Sequence, residues 1–369
     1  MASVLQIPRN LTNWNASPQT VQKLLGSLCG IRVGELSGDL MIDQCSATML
    51  LRRPGSRHVA LYKLKLREPK TSRTRVVEWI GKRDTTKSVG KAAREFRILQ
   101  LLSDSGFGCK GRFRIPRPIH LSIDKEIILQ EKARGLVFEA LLRRGDRSSR
   151  DAATSAGTWL AKLHGMPITP AGVCSYEHHL SAVQLYVREL LAASPRLAPE
   201  LALLEAEICQ KLSSFQDVPL SLIHGDYHPQ HIYVAGNRIT VIDFDRSHFS
   251  DPAEDLGSFI LHTRLAAIRL GQPPESVNRE VAAFLKGYFA AASNTHVRDL
   301  AGRVRTFVAL SCLEALYYVA AVLRVDDPCT EELYLRCAQD CRVPGLLAEQ
   351  PGMGFSIAPR AEPCEQVAA

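Results

Sequence analysis

The sequence predicts an α+β protein with two lobes, an antiparallel β-sheet lobe followed by a mainly helical one. At 369 residues, the chain exceeds what a single hydrophobic core usually serves. Short alternating apolar runs dominate residues 40–134, whereas apolar residues at helical spacing dominate residues 135–343. We therefore expect one lobe in each range, with an N-terminal extension at residues 1–39 and an irregular tail at residues 344–369.

Strand signals follow one another through the first lobe. Alternating or β-branched runs are separated by turn formers such as Pro54-Gly55-Ser56. They predict strands at residues 47–51, 59–66, 75–80 and 127–130. Residues 87–103 instead carry apolar side chains at helical spacing. One helix is therefore expected to pack on the sheet.

Helical periodicity dominates the second lobe. It predicts helices at residues 152–164, 183–193, 199–215, 277–292 and 299–323. The exception is residues 222–244, where two β runs flank the turn Ala235-Gly236-Asn237. We therefore expect a lone hairpin, residues 231–242, within a helical lobe.

Composition is that of an ordinary folded protein, with 46% hydrophobic and 23% charged residues. Residues 1–14 lack a signal-peptide pattern, and no stretch of about eighteen apolar residues is free of charge. We therefore expect a cytoplasmic protein with no membrane partner. The ten cysteines are scattered without a C-x-x-C pair, so reduced thiols are expected and a metal site at Cys337 and Cys341 is not.

The net charge is +8 and the pI is near 9.0, with basic residues crowded into the first third. Many of them alternate with apolar residues, as in Tyr62-Lys63-Leu64-Lys65-Leu66-Arg67. Such alternation indicates strands with one solvated face, and no aromatic-interleaved recognition motif accompanies it. We do not expect a nucleic-acid partner.

The strongest candidate site lies at residues 222–245. An apolar strand end precedes His224-Gly225-Asp226, and the hairpin leads to Val241-Ile242-Asp243-Phe244-Asp245. The hairpin is expected to bring Asp226 and Asp243 to one edge. In phosphoryl transfer, one carboxylate accepts the proton of the acceptor hydroxyl and another holds magnesium against the triphosphate. The pattern suits this division of labour.

With these motifs the sequence resembles the aminoglycoside-phosphotransferase and choline-kinase family, which has a protein-kinase-like fold. That family shows H-G-D with Asn five residues after Asp, then I-D-F/W and D-P-x-x-D-L. The matching segments here are His224-Gly225-Asp226, Ile242-Asp243-Phe244 and Asp251-Pro252-Ala253-Glu254-Asp255-Leu256. The resemblance implies ATP and Mg²⁺ as cofactors and a small-molecule hydroxyl as phosphate acceptor.

The resemblance also implies roles for individual residues. Asp226 corresponds to the catalytic base and Asp243 to the principal magnesium ligand. Asp255 and His224 correspond to residues that support the catalytic loop. The segment Trp159-Leu160-Ala161-Lys162-Leu163-His164 matches the family's L-x-x-L-H helix, which packs under that loop.

One position departs from the family pattern. His231 stands where the family has the asparagine that binds a second magnesium ion. Imidazole is a poor ligand for Mg²⁺, because hard cations prefer oxygen donors. Either one metal site is weakened, or His231 acts through a water or a phosphate oxygen, or activity is lost.

In the first lobe the family needs a strand lysine for the phosphates and a helix glutamate to orient it. Lys82 and Glu95 fit by position, with Arg83 as the nearest alternative cation. Gln130 and Lys132 lie where the hinge between the lobes would meet adenine. No G-x-G-x-x-G is present, so a phosphate-covering loop is sought in Ser37-Gly38-Asp39 or in residues 52–57.

The acceptor pocket is expected in the helical lobe. His228, Asp245 and Glu314 are candidate substrate contacts, with Glu254 as a further source of negative charge for a cationic acceptor. Glu314 falls inside an apolar helix, where a buried carboxylate demands a partner. A structural ion pair would satisfy it as well as a substrate would.

Two other functions remain open. His224-x-x-x-His228 together with His231 and Asp226 could form a metallohydrolase site, although this leaves the I-D-F and D-P-x-x-D-L segments unexplained. A catalytically impaired nucleotide-binding scaffold would account for His231 but not for the presence of both Asp226 and Asp243. The sequence favours an ATP-dependent kinase for an aminoglycoside-, amino alcohol- or sugar-like hydroxyl.

Overall fold

The computed structural model describes most of the chain. The described residues are 40–53, 57–84, 90–108, 111–122, 127–168, 172–292, 300–325, 331, 334 and 335. The predicted N-terminal extension and irregular tail lie outside these residues. So do Ser37-Gly38-Asp39, Pro54-Gly55-Ser56, Cys337 and Cys341.

The described residues form eleven β-strands. These are β1 (Met41–Arg53), β2 (Arg57–Arg67), β3 (Thr74–Asp84), β4 (Phe113–Arg114), β5 (Pro118–Ser122), β6 (Ile127–Glu131), β7 (Leu136–Val137), β8 (Ser221–Ile223), β9 (Ile232–Ala235), β10 (Arg238–Val241) and β11 (His248–Ser250).

Eight α-helices accompany these strands in the same part of the chain. They are α1 (Lys91–Leu102), α2 (Phe138–Leu142), α3 (Arg147–His164), α4 (Glu177–Ala193), α5 (Ala198–Ser214), α6 (Ala253–Arg269), α7 (Asn278–Ala291) and α8 (Leu300–Tyr317).

The first lobe is an antiparallel sheet in the order β1-β2-β3-β6-β5. The four predicted strands lie within β1, β2, β3 and β6, and the predicted helix corresponds to α1. Tyr62, Leu64 and Leu66 are buried on one face of β2, where they pack in a small core with Trp79 and Leu129. The expected strand with one apolar and one solvated face is confirmed.

The second lobe contains more β structure than the sequence predicts. The hairpin of β9 and β10 is extended by β4 and β7 into a four-stranded sheet, and β8 pairs with β11. The expectation of a lone hairpin is therefore wrong. β4 and β7 are only two residues long, too short for any periodic signal.

Helix α6 was also missed by the periodicity argument, although its first turn carries the D-P-x-x-D-L motif. Its buried residues surround the helix, including Leu256, Phe259 and Leu261. A helix that is buried on most of its surface gives only a weak amphipathic pattern. Its burial places it at the centre of the helical core.

Helices α3 and α7 cross so closely that a residue with a Cβ atom would not fit at the crossing point. A Cβ atom on Gly157 would collide with the backbone of Phe284, and one on Gly287 would collide with the backbone of Thr154. The Thr158 hydroxyl donates a hydrogen bond across the contact to the Gly287 carbonyl, at 3.2 Å. Glycine is therefore required on both sides of this crossing.

One helical stretch, Leu300–Val322, is long and apolar enough to cross a membrane by length and composition, with a mean hydropathy of 1.4. It comprises α8 and the turn that follows. Within the protein, 56% of its apolar window is buried, against helices that include α4 and α6. The core helix of a folded lobe also meets these criteria of length and composition, and burial inside the protein is expected of such a helix.

Candidate active site

Strand β8 delivers the His224-Gly225-Asp226 loop. All three residues of β8 are buried, so the polar loop begins where the apolar strand ends. Gly225 has φ of 75°, and a Cβ atom there would collide with the carbonyl of Arg246. Only glycine fits both the left-handed backbone and the close approach.

A buried carboxylate holds this loop in place. Asp255, in the first turn of α6, accepts hydrogen bonds from the backbone N–H groups of His224, at 2.7 Å, and Gly225, at 2.8 Å. It also contacts His164 Nε2 at 3.1 Å, and the other nitrogen of that ring contacts the Tyr288 hydroxyl at 2.9 Å. Burial would raise the pKa of Asp255, but the hydrogen bond from His164 and the bonds from the loop outweigh it and lower the pKa. The L-x-x-L-H helix and the D-P-x-x-D-L segment thus meet at the catalytic loop.

His224 has a defined tautomer. Its Nε2 contacts the Ile242 carbonyl at 2.9 Å, and its Nδ1 contacts the Asp226 N–H at 3.3 Å. Only the neutral Nε2–H form donates to the first and accepts from the second. Burial lowers the pKa of His224, which favours that neutral form. Both nitrogens are engaged, so His224 does not join His228 in the metallohydrolase ligand pair considered above.

Tyr227 anchors the loop from below, and sequence reasoning missed it. Its ring is fully buried, stacks 5.8 Å from Trp159 and lies 5.9 Å from Phe259. Its hydroxyl donates to the Ala156 carbonyl at 2.9 Å. A large apolar residue directly after Asp226 was the available signal.

Asp243 lies beside the lysine predicted for the phosphates. Lys82 Nζ is 2.6 Å from Glu95 Oε1 and 2.8 Å from Asp243 Oδ1. Burial alone would lower the pKa of Lys82, but the two carboxylates outweigh it and raise the pKa above its ordinary value. Asp243 has φ of 73°, a conformation rare for a non-glycine residue and often found at functional sites.

The His231 ring lies between the two predicted catalytic carboxylates. Its Nδ1 is 3.9 Å from Asp226 Oδ2, and its Nε2 is 3.6 Å from Asp243 Oδ2. Both carboxylates therefore flank one imidazole, in line with the expectation that the hairpin brings Asp226 and Asp243 to one edge. Its Nδ1 is also 2.9 Å from the Asp226 carbonyl, so in the neutral ring Nδ1 carries the proton. The Nε2 lone pair then faces Asp243.

Two further histidines extend this cluster. The ring of His228 lies 3.7 Å from that of His231 and 5.0 Å from that of His262. Burial and the neighbouring imidazoles hold the pKa of His228 well below its usual range, and burial lowers the pKa of His262 to about 4. Both rings are therefore neutral at pH 7. His262 lies on α6, about thirty residues along the chain from His231, and no local pattern indicates that it joins this cluster.

The stability of the nucleotide-free protein is expected to fall between pH 6.5 and pH 4. Folded His262 stays neutral down to about pH 4, whereas the unfolded chain protonates it near pH 6.5. In that window the unfolded state binds more protons, so stability decreases as pH falls, by up to about 1.4 kcal/mol per pH unit for this group. Urea unfolding of wild type and His262→Gln across this range measures it. Equal slopes in the two proteins would contradict the assignment to His262.

The predicted substrate contacts lie in different surroundings. Glu314 is partly exposed rather than buried, and it pairs with Arg246 at 3.0 Å. The expectation that Glu314 is a buried carboxylate in need of a partner is therefore wrong. Asp245 follows Asp243 by two residues, and its carbonyl accepts a hydrogen bond from Arg94 at 2.8 Å. His228 Nε2 lies 3.7 Å from Asp226 Oδ1.

The two predicted hinge residues differ in their surroundings. Lys132 pairs with Glu78 at 2.9 Å on the surface, so its side chain is engaged away from Lys82 and Asp243. Gln130 is buried on β6, and its Oε1 has no hydrogen-bond partner in the described part of the chain. Of the two, Gln130 is the one whose side-chain oxygen lacks a partner in that part of the chain.

The donor set around Asp243 fits a divalent cation. Mg²⁺ commonly takes one or two carboxylates from the protein and fills its other positions with water and phosphate oxygens. Asp243 offers such a carboxylate, with its Oδ2 near His231 Nε2. Asp226, His228 and His231 also place one potential ligand atom each within 4.8 Å of one another.

The family model described as the phosphotransferase enzyme family (APH) matches residues 67–301. The comparison with curated proteins gives no match.

Among solved structures, one similar chain is an amicoumacin kinase in complex with AMP-PNP and Ca²⁺, at 14% identity and a TM-score of 0.54, covering 89% of this chain and 93% of that one. Another is a thermostable mutant of the aminoglycoside phosphotransferase APH(4)-Ia with ADP and hygromycin B, at 12% identity and a TM-score of 0.55, covering 89% and 98%. A glucosamine kinase matches at 14% identity and a TM-score of 0.51, covering 84% and 92%. Likeness at these identities shows a shared fold, and the protein-kinase-like prediction is confirmed.

Proposed function

We propose, since this chain belongs to the APH phosphotransferase enzyme family, that it transfers the γ-phosphate of ATP to a hydroxyl group of a small molecule. The observation that carries the proposal is the pair of carboxylates, Asp226 and Asp243, on either side of His231, at 3.9 Å and 3.6 Å from its ring nitrogens. A binding module has no need for two such groups at one cleft.

In the proposed reaction, Asp226 accepts a hydrogen bond from the acceptor hydroxyl and takes its proton as the oxygen attacks phosphorus. Asp226 is held for this by the loop that Asp255 and Tyr227 fix. Lys82 holds phosphate oxygens, and Glu95 keeps its ammonium in place. Because Lys82 is buried and paired on two sides, its position is set before the nucleotide arrives.

Asp243 would hold the magnesium ion, and His231 lies beside it. Bound there, such an ion neutralises the negative charge of the triphosphate. The short contact between Lys82 and Asp243 supports this, because it places the phosphate-binding cation and the metal ligand at one point.

The acceptor we propose is a cationic hydroxyl compound, such as an aminoglycoside, an amino alcohol or an amino sugar. Asp245 supplies negative charge two residues after Asp243. Similar folds include kinases named for amicoumacin and glucosamine. Arg246 partly offsets the charge by pairing with Glu314, so Glu314 is the weaker candidate contact.

A coupled assay of ADP release tests the proposal across aminoglycosides, amino alcohols, sugars and hydroxyl amino acids. A kinase releases ADP only when a suitable acceptor is present. The alternative, a nucleotide-binding scaffold favoured by His231, is stabilised against heat by ATP but releases no ADP with any acceptor. That second result would overturn the proposed function.

His231→Asn is expected to change which metal supports activity. In the wild type, His231 Nε2 lies 3.6 Å from Asp243 Oδ2, and imidazole favours Mn²⁺ and later metals over Mg²⁺. An amide oxygen suits Mg²⁺ and Mn²⁺ alike, so it removes this advantage of Mn²⁺. We expect Mn²⁺ affinity, measured by electron paramagnetic resonance with bound nucleotide, to fall about tenfold, and Mg²⁺-supported ADP release to rise.

His248→Asn is the matched control, because His248 lies on β11 with its Nδ1 against the Arg246 carbonyl. It should leave the Mn²⁺ affinity and the Mg²⁺-supported ADP release unchanged. If His231→Asn binds Mn²⁺ as tightly as the wild type does, His231 does not contribute to metal binding.

A further inference from the structure

Three metal-ligating side chains meet away from Asp226 and Asp243. His178 and His179 lie in the first turn of α4, and Glu254 lies in the first turn of α6. Each offers one ligand atom, and these atoms lie within 4.8 Å of one another. The sequence separates the two histidines from the glutamate by more than seventy residues, so only the fold brings them together.

The central residue of this group has an unsatisfied nitrogen. His179 is buried, and its Nε2 has no hydrogen-bond partner among the residues that the structure describes. Glu254 Oε2 lies 3.3 Å away but is not aligned for a hydrogen bond. A buried polar atom without a partner is unfavourable, and a bound cation would satisfy it.

The distances suit a small transition-metal ion. Zinc binds imidazole nitrogen and carboxylate oxygen at about 2.0–2.2 Å in tetrahedral geometry, which separates neighbouring donor atoms by about 3.3–3.6 Å. The 3.3 Å between His179 and Glu254 falls in this range. The ring of His178 is 3.7 Å from that of His179, and His178 is exposed, so its side chain can turn to complete the group.

The set of two imidazoles and one carboxylate is also chemically suitable. It is a ligand set found in zinc sites that keep an open fourth position. The Ser250 hydroxyl contacts Glu254 Oε2 at 3.2 Å, an outer contact of the kind that orients a metal-binding carboxylate.

We propose that His178, His179 and Glu254 form a second metal site, which binds Zn²⁺ or a similar transition-metal ion with three protein ligands and an open fourth position. The ion ties the first turn of α4 to the first turn of α6. Asp255 follows Glu254 directly and holds the backbone of the catalytic loop. Metal binding therefore stiffens the support of that loop without touching the reacting groups.

Titration of the untagged, chelator-treated full-length protein with Zn²⁺ tests the site, with stoichiometry and affinity read by competition with a chromophoric chelator. His178→Ala/His179→Ala is expected to lose one equivalent of bound zinc. His178→Ala alone, which removes an exposed ring and leaves the core intact, should weaken that equivalent at least about tenfold. Co²⁺ bound to the wild type should show visible absorption that changes in the same variants.

Two controls separate this site from its neighbours. His248→Ala removes an imidazole 6.3 Å from that of His178 but outside the group, and should keep the equivalent. His231→Ala removes a possible ligand at the catalytic cluster and should also keep it. If both His178→Ala and the double variant bind zinc as the wild type does, or if the wild type binds none outside the catalytic cluster, the proposal is wrong.

Discussion

Replacing Asp226 by asparagine is expected to lower acceptor-dependent ADP release by about 10²- to 10⁴-fold, the usual contribution of a positioned general base. The amide cannot take the proton of the acceptor hydroxyl. It keeps the shape of the side chain, so the loop fixed by Asp255 and Tyr227 should persist. The measurement is kcat with the best acceptor from the ADP-release screen, together with the affinity for ATP.

The affinity for ATP should change little, because Lys82 and Asp243 remain. Asp151→Asn makes the same chemical change at an exposed carboxylate, 3.7 Å from Arg147 on the surface of α3, and should leave kcat unaltered. A kcat within a factor of a few of the wild type in Asp226→Asn would exclude Asp226 as the base.

Replacing Asp255 by asparagine is expected to destabilise the fold by about 3–5 kcal/mol, the range for breaking a buried charged interaction. The carboxylate is fully buried and meets donors from His224, Gly225 and His164. Asparagine keeps one acceptor oxygen but turns an NH₂ group toward a backbone N–H. Urea unfolding at pH 7 measures the loss.

The loss should be accompanied by lower activity at temperatures where the variant is still folded, because the loop that presents Asp226 is no longer held on both N–H groups. Asp151→Asn, as the exposed counterpart, should change stability by less than about 0.5 kcal/mol. If Asp255→Asn also changes stability by less than about 0.5 kcal/mol, the loop is held by other contacts. The contacts of Tyr227 would then be the first to test.

The sequence predicted which residues meet at the candidate site better than it predicted their surroundings. His224-Gly225-Asp226 and Asp243 are short motifs with fixed spacing, and Lys82 lies near the end of β3, a strand whose position was clear. Asp226 and Asp243 come together because a hairpin brings neighbouring segments back to one edge, a local event, whereas Lys82 reaches Asp243 across 161 positions of the chain. The spacing of Lys82 and Glu95 likewise depends on one helix packed on one sheet.

Other parts of the site depend on contacts distant in sequence, and no local pattern reveals them. His262 reaches the catalytic cluster from α6, and His178 and His179 meet Glu254 only because α4 and α6 are neighbours. Strands β4 and β7 are ordered by the hairpin that they join rather than by their own residues. Helix α6 was not found from periodicity because it is buried on most sides, with Asp255 and Arg264 among its buried residues.

The crossing of α3 and α7 links a remote position to the reaction. Gly287 precedes Tyr288, and Gly157 lies about 10 Å along α3 from His164, while His164 and Tyr288 contact each other beneath the catalytic loop. A single added methyl group at either glycine would force the helices apart and pull that contact open. Substitutions at these two positions should therefore change turnover rather than nucleotide affinity, although both glycines lie at a helix crossing and not among the reacting groups.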